Sequence, residues 1–381
     1  MTHAHPQSTE SPVAAPRAPA RRRRWPIVVG VILALVIVFC VIADRVTLDY
    51  YAIAPGEAQS VGPLIHVPPS KAHPVNGSVL LTDVYLSQVT LLGYLPDLLS
   101  SNTDLVPTSN LLEPGTSPEQ LTDQGYLEMA QSQSAAKALA LQTLGYTVPE
   151  HDAGTLVFSV QTGSPAASVL SVAQIITAVD GTPTPNECAF VAAIHDRPAG
   201  TVVNLSVEQS TVTPEAEIKP GPVVTKSVRL AEPPAGLGSS GCPGVTGPAK
   251  GFLGISPETQ QDFTYPFPIN VDTTDIGGPS AGLAMTLGII DKLSTGDLTG
   301  HHVIAATGTI SSDGTVGDVS GVPQKTVAVE QAGGTDFLVP PQELKAAESK
   351  ANSSLHVYAV STLQQALDVL RRLGGRVPTT H

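Results

Sequence analysis

The chain has 381 residues, a formal net charge of −13 and only 4% aromatic residues, while Gly and Pro supply 34 each. That length holds two or three domains, and the glycine and proline content suits small β-rich units joined by turns. The acidic balance argues against a nucleic-acid binder, the more so because the first 25 residues carry five arginines and one glutamate, which leaves the rest more acidic than the whole.

Met1 to Ala20 is rich in Pro, Ala, Ser and Thr and is expected to be disordered. With Arg21-Arg-Arg-Arg24 it makes a basic tail over residues 1–25. Residues 26–43, from Pro26 to Ala43, are 18 residues without a charge, the lower end of a membrane-spanning length. The arginines should stay cytoplasmic, so the run reads as a single-pass anchor that leaves the remaining chain extracytoplasmic, at the cell membrane. A cleavable signal peptide shares the basic-then-apolar order. The long apolar core and the lack of a small-x-small site beside Asp44-Arg45 favour the uncleaved anchor.

Residues 44–125 read as a β-rich membrane-proximal region. Tyr51-Ala-Ile-Ala-Pro-Gly, Leu64-Ile-His-Val-Pro-Pro and Gly77 to Tyr85 have strand character with Pro and Gly punctuation. No chemistry is legible there, since His66 and His73 have no nearby carboxylate or cysteine with which to hold a metal. Ser117 to Leu144 reads as a helix with a Ser117-Pro-Glu-Gln120 start and a Gly145 stop. It contains Ser134-Ala-Ala-Lys137, the Ser-x-x-Lys pattern of penicillin-binding enzymes. Neither Ser-Asp-Asn nor Lys-Thr-Gly follows, so the helix is read as structural.

Within residues 126–232 the order is strand (Thr155 to Val160), small-residue turn (Gly163-Ser-Pro-Ala-Ala167), strand (Ile175 onward) and Val179-Asp-Gly turn. A helix over Asn186 to His195 and a strand over Thr201 to Val207 follow. This resembles a PDZ domain, with Ala173-Gln174 in place of the usual Gly-Asp. The resemblance implies capture of an extended peptide at a sheet edge, with Leu144-Gly-Tyr146 as the candidate for holding its carboxylate. Residues 233–250, rich in Pro, Gly and Ser, read as a linker. In an oxidising exterior, Cys242 of the linker and Cys188 of the helix could form a disulfide. Neither has a histidine in a setting that suits a cysteine nucleophile.

Residues 251–381 alternate strands and helices as an α/β layered domain. Strands are expected at Phe267–Val271, His302–Thr307, Asp336–Val339 and Val357–Val360. Helices are expected at Ser280–Leu293 and Gly321–Gln331, with a final one, capped by Ser361, through Arg372. The stretch Asp275-Ile-Gly-Gly-Pro-Ser-Ala-Gly282 places Ser280 among small residues where a loop turns into an apolar helix. Pro279 suits a helix start, and first-turn amides there can stabilise an oxyanion. A serine needs a base to become a nucleophile. Lys325, 45 residues on, is the only charge between Asp318 and Glu330 and has Val322, Val327 and Val329 around it. Desolvation among valines lowers a lysine's pKa toward that of a general base.

These residues resemble the proteolytic domain of Lon-type serine peptidases, from about Gly251 to Pro340 and on toward the C-terminus. Gly278-Pro-Ser-Ala-Gly282 matches the nucleophile motif. Thr307-Gly-Thr-Ile310 matches a Thr-Gly-Glu-Ile segment, Gly317 to Lys325 the stretch ending in the catalytic lysine, and Gly333 to Pro340 the strand that follows. The resemblance implies a Ser280–Lys325 dyad oriented by Thr307, with an oxyanion hole from Ala281 and Gly278. It departs at Gly277, where many Lon enzymes carry aspartate, and at Thr309, where they carry glutamate.

The fold expected is α+β and multidomain: a transmembrane helix, a β-rich PDZ-like domain and an α/β Lon-type domain. No Gly-x-x-x-x-Gly-Lys-[Ser/Thr] phosphate loop occurs in the sequence, so no ATP is expected, nor any metal or other cofactor. Polypeptides are the expected substrates, and resemblance implies assembly into a hexameric ring. An α/β-hydrolase elbow is a rival reading of the serine motif, with His356 as its base. The rival of another class is a non-catalytic PDZ and Lon-like scaffold.

Overall fold

The computed structural model describes residues 25–112, 116–238 and 241–378. The expected disordered tail, up to Arg24, lies outside them. Helix α1 (Trp25–Arg45) starts one residue before the uncharged run and ends two after it, and of its residues only Ala43 is buried. Its 21 residues rise about 31 Å, close to the roughly 30 Å hydrocarbon core of a bilayer. Among the described residues it is the single helix long and apolar enough to cross a membrane.

Strands β1 (Thr47–Ser60), β2 (Ile65–His66) and β3 (Ser78–Thr90) follow, then helix α2 (Tyr94–Leu99) and strand β4 (Asp104–Pro107). Helix α3 (Pro118–Thr143) opens on a capping box. Ser117 Oγ accepts from the Gln120 amide, and the Gln120 side chain accepts from the Ser117 amide. The helix stops before Gly145, which adopts φ +82°.

The chain then enters a second unit, made of β5 (Glu150–Val160), β6 (Ile175–Val179), β7 (Thr182–Pro183), α4 (Glu187–His195), β8 (Val202–Glu208), β9 (Thr211–Val212), β10 (Ile218–Lys219), β11 (Val223–Arg229) and β12 (Ile255–Phe263). Its sheet runs β11-β8-β6-β5-β12, with β7 beside β6. Phe190 and Ile194 of α4 pack on Val157, Ile176 and Leu205 of the sheet to make its own core. The residues of β12 fall in the stretch expected to open the last domain, where no strand was expected before Phe267. The strand instead pairs antiparallel with β5, from Ile255 opposite Val160 to Phe263 opposite Glu150. Cys188 of α4 is disulfide-bonded to Cys242, 54 residues away.

The last stretch supplies β13 (Asn270–Val271), α5 (Gly282–Leu293), β14 (Val303–Ala306), β15 (Thr309–Ile310), β16 (Val316–Gly317), α6 (Val322–Gln331), β17 (Asp336–Val339), α7 (Leu344–Glu348), β18 (His356–Ala359) and α8 (Leu363–Arg372). Two expectations are corrected here. Helix α8 is capped by Thr362, which accepts from the Gln365 amide, while Ser361 bonds the Gln365 side chain. More consequentially, the region 44–125 does not stand by itself. The six-stranded sheet runs β18-β17-β14-β3-β1-β4, so strands from that region complete the sheet begun by β14, β17 and β18. Strand β3 lies parallel to β14, with Val79 opposite Ile304.

The reason is burial on both faces. Consecutive strand residues point to opposite sides. Val79, Leu81, Ile304 and Leu338 enter one core with α3, α5 and α8. Leu80, Ala305, Phe337 and Val339 enter another with α6 and α7. Helix α3, which the expected boundary at residue 126 would have cut, belongs to the first of these layers. The PDZ-like unit is therefore an insertion between α3 and β13, not a module preceding the last domain.

The disulfide closes a long loop within that inserted unit. Cys242→Ser should lower the unit's unfolding free energy by about 2–4 kcal/mol on the loop-entropy estimate. Urea melts of the oxidised protein and the variant, followed by circular dichroism, check this; an unchanged midpoint would contradict it.

Candidate active site

Gly278, at φ +87°, turns the chain into a single 3-10 turn over Pro279–Ala281, and α5 continues from Gly282. Positive φ costs glycine little. Three contacts hold this corner. The Gly278 amide donates to Gly125 O of α3 at 2.7 Å, the Gly308 amide donates to Ser280 O at 3.0 Å, and Ser132 Oγ donates to Pro279 O at 3.1 Å. A side chain at Gly282 would place its Cβ 2.8 Å from Ile310 Cγ2, so the glycine two residues after the serine is demanded by β15.

Residues Gly321 and Val322 begin α6, with Gly321 at φ +72°. One turn on, Lys325 is 2% exposed, and its Nζ donates to Thr307 Oγ1 at 3.1 Å. Thr307 lies in the loop after β14, is fully buried, and donates through the same hydroxyl to Ser280 O at 3.3 Å. One hydroxyl thus links the lysine to the serine's backbone. Ser280 and Lys325 both line a cavity of about 140 Å³, together with Asp83, Tyr85, Gly277 and Ala281. Burial pushes the Lys325 ammonium down to about 7, against opposing pulls from the carboxylates of Asp83 and Glu343.

Asp83 was not legible as a site residue. It sits on β3, where β1 breaks register between Pro55 and Ala58. In that bulge the Glu57 amide donates to Asp83 Oδ1 at 2.6 Å, and a Cβ on Gly56 would collide with the same oxygen. Burial raises the Asp83 carboxyl, while that amide and Lys325 lower it. The only available sequence signal was an acidic residue, Asp83, inside the apolar run of β3.

Other expected roles fall differently. The Gly278 amide is engaged by Gly125 O, so it is not free to serve an oxyanion in this conformation. Ala281 remains at the corner, buried beside Ser280. His356 lies on the edge strand β18, exposed, and no histidine lines the cavity. No strand runs into Ser280 either, because β13 ends at Val271, which leaves the hydrolase elbow without its parts. The Ser134–Lys137 pair lies elsewhere: Lys137 stands over the Tyr265 ring, whose hydroxyl donates to Ser134 O. Tyr146 packs edge-on against Phe267 in the first core, so the Leu144-Gly-Tyr146 expectation is withdrawn. The PDZ-like unit's apolar groove lies instead between α4 and β12, about 220 Å³ in volume, lined by Phe190, Ile194, Leu253 and Ile255. No group of metal-binding side chains occurs among the described residues.

Residues 266–372 match the family model described as the Lon protease (S16) C-terminal proteolytic domain. The C-terminal segment is a Lon-type proteolytic domain. Lon protease 2 of Bacillus subtilis (strain 168) is 33% identical over 116 residues, 30% of this chain and 20% of that protein. Lon protease 1 of Sorangium cellulosum (strain So ce56) is 34% identical over 99 residues, 25% of this chain and 12% of that protein. The chain thus spans a fifth or less of the length of these relatives. Among solved structures, the PDZ domain of an SdrC-like protein from Listeria monocytogenes is 20% identical, covering 28% of this chain and 87% of that one at a TM-score of 0.21. Its counterpart from Listeria innocua covers 27% and 92% at 20% identity and a TM-score of 0.19. The matched segment holds Ser280, Thr307 and Lys325 of the Lon-type domain, whereas Asp83 lies outside it.

Two pH effects follow from the buried lysine. A lysine can accept a proton only when neutral, so any activity that uses Lys325 as a base should rise with pH through about 7. Asp83→Asn should move that acidic limb to lower pH, because the negative charge that favours the ammonium is gone; a limb that stays in place in pH–rate profiles would contradict this. The unfolded lysine keeps its proton up to about 10.5, so unfolding takes up a proton between about 7 and 10.5 and stability should rise with pH over that window. Urea midpoints of Ser280→Ala should show the rise, and those of Ser280→Ala/Lys325→Met should lack its lysine component.

Proposed function

We propose that the chain is a serine endopeptidase working through a Ser280–Lys325 dyad. The observation that carries this reading is Lys325, buried with its Nζ on Thr307 Oγ1 and facing the same cavity as Ser280. In the neutral form the lysine nitrogen has a lone pair to accept a proton. Ser280 Oγ would attack the scissile carbonyl carbon as its proton passes to Lys325 Nζ. The tetrahedral oxyanion would be met by the Ala281 amide at the start of α5. Lys325 would return the proton to the leaving amine as the C–N bond breaks. A water, deprotonated by the same nitrogen, would then release the acyl group from Ser280.

The surrounding elements supply the setting in this reading. Helix α1 would anchor the chain by its N-terminal span, with the arginines inside and the peptidase outside the cell membrane. The sequence lacks the phosphate-loop motif, so cleavage would need no ATP and would favour polypeptides that are already unfolded or flexible. Strand β12 is the terminal strand of its sheet, and its free edge beside α4 suits an extended peptide added as a further strand. The chain leads from β12 through β13 to the Ser280 loop, so a segment held there would lie on the element that feeds the active site.

Full-length protein in detergent or vesicles, incubated with a casein-type unfolded substrate without ATP, tests the reading. Ser280→Ala and Lys325→Ala should each reduce the cleavage rate by roughly 10³-fold or more while leaving the fold intact. Cleavage that survives Lys325→Ala would sink the dyad. No cleavage by the unmutated protein, alone or assembled in membranes, would favour a binding scaffold.

A further inference from the structure

Outside α1, the exposed large apolar side chains of this molecule are not evenly spread. Leu91, Leu92, Leu95, Leu98 and Leu99 are 47%, 43%, 61%, 55% and 76% exposed within a single stretch of nine residues. Others, such as Val202, Val223 and Leu237, stand singly. Isolated exposed apolar residues are ordinary, but a contiguous patch of leucines signals a partner surface. Leu95, Leu98 and Leu99 fall at helical spacing on one face of α2, and the segment's only charge is Asp97.

The place of this patch identifies the partner. The Leu92 amide donates to Ala43 O at 3.3 Å, and the Leu91 amide donates to Val46 O at 2.8 Å. The leucine turn is thereby fastened to the last turn of α1. At 1.5 Å per residue, Ala43 lies only about 3 Å along the axis from the end of the helix. A bilayer that encloses α1 must therefore have its outer boundary at the level of Leu91 and Leu92. Tyr50 and Tyr94 pack beside the same exit, with ring centroids 6.1 Å apart. Tyrosines at that depth have an apolar body for the acyl boundary and a hydroxyl for the headgroups.

We propose that residues 91–99 form a second, interfacial membrane contact, with α2 lying in the headgroup–acyl boundary beside the exit of α1. This inference rests on the anchor reading of α1. One helix alone leaves a protein free to swivel about its tether, whereas a span plus an interfacial patch fixes the attached unit against the surface. The patch hangs from β3, which also carries Asp83 into the Ser280–Lys325 cavity. Membrane contact would thus set the distance and orientation of that cavity relative to the bilayer. The substrate segments reached would be those emerging within a short span of the outer surface.

The single native tryptophan makes the test direct. Full-length protein is reconstituted into phosphatidylcholine–phosphatidylglycerol vesicles with and without lipids brominated near the headgroup. Trp25 in the unaltered protein reports the span. Trp25→Phe/Leu95→Trp and Trp25→Phe/Leu98→Trp report the patch, and Trp25→Phe/Val223→Trp serves as the water-exposed reference. Loss of emission at positions 95 and 98 on bromination, well beyond that at 223, is expected. Quenching of Trp25 with none at 95 or 98 would overturn the interfacial contact and leave the anchor standing. A blue-shifted but unquenched tryptophan at 95 would assign the leucines to a second copy of the chain and overturn the inference too. Absence of quenching at Trp25 and at 95 alike would remove the anchor and this inference with it.

Discussion

The structure depends on withdrawing the amino group of Lys325 almost entirely from bulk solvent, to the wall of a small cavity. A buried ammonium without a counter-charge is costly, and the usual response of a lysine is to give up its proton. Here one hydroxyl, Thr307 Oγ1, receives the nitrogen, and the same oxygen donates to Ser280 O. The lysine's helix, the loop after β14 and the start of α5 are consequently bound into one assembly. Each must be in place for the others to be. The packing that achieves this is severe: Gly321 sits so close to β3 that a Cβ there would come 2.9 Å from Val84 Cγ1. The sheet that α6 packs on must therefore be complete before the lysine can be desolvated. Strands β1 and β3, far away in sequence, complete it.

This explains why the PDZ-like unit is an insertion. The segment from β1 to β4 cannot form a domain, since β3 has Leu80 and Leu81 on opposite faces and each face needs a helical layer from later in the chain, α3, α5 and α8 on one side and α6 and α7 on the other. The inserted unit begins after α3 and ends in β12, and both flanks are tied to the site. Helix α3 holds the serine corner through Gly125 O and Ser132 Oγ. Strand β12 runs out toward β13 and the Ser280 loop. A load on the inserted sheet therefore has two routes to the corner that carries the serine, one along the chain through β12 and β13 and one through the hydrogen bonds that α3 makes to it.

The sequence disclosed the parts whose chemistry is local. Ser280, Thr307 and Lys325 were legible because short motifs surround them, and α3, α5 and α6 because caps and apolar spacing mark them. Cys188 and Cys242 could be named as a candidate pair, but their spacing says nothing of distance; the disulfide is a product of α4 packing against the returning linker. Long-range pairing was invisible. Nothing in Ser78–Thr90 states that its parallel neighbour lies more than two hundred residues on, so the sheet was split between two supposed domains and Asp83 went unnoticed. The Gly278 amide was misjudged for a related reason. Its acceptor, Gly125 O, belongs to a helix that local reading had assigned to another unit.

The same contact accounts for a departure from the Lon-type pattern. A Cβ on Gly277 would approach the carbonyl carbon and Cα of Gly125 to 3.2 and 3.3 Å. An aspartate at that position would require α3 to give way by a few tenths of an ångström at Gly125, the residue that accepts from the Gly278 amide. Two glycines back to back keep the helix and the loop in contact, at the expense of a carboxylate there. The cavity nevertheless has one, because the β1 bulge turns the Glu57 amide onto Asp83 and holds its carboxyl beside Lys325. The negative charge is delivered from the sheet instead of from the loop. A charge on a strand paired to β1 before and after it, and held by the Glu57 amide, has less freedom than one on a glycine-rich turn. That arrangement ties the basicity of Lys325 to the integrity of β1 and β3, the strands nearest the apolar helix α1.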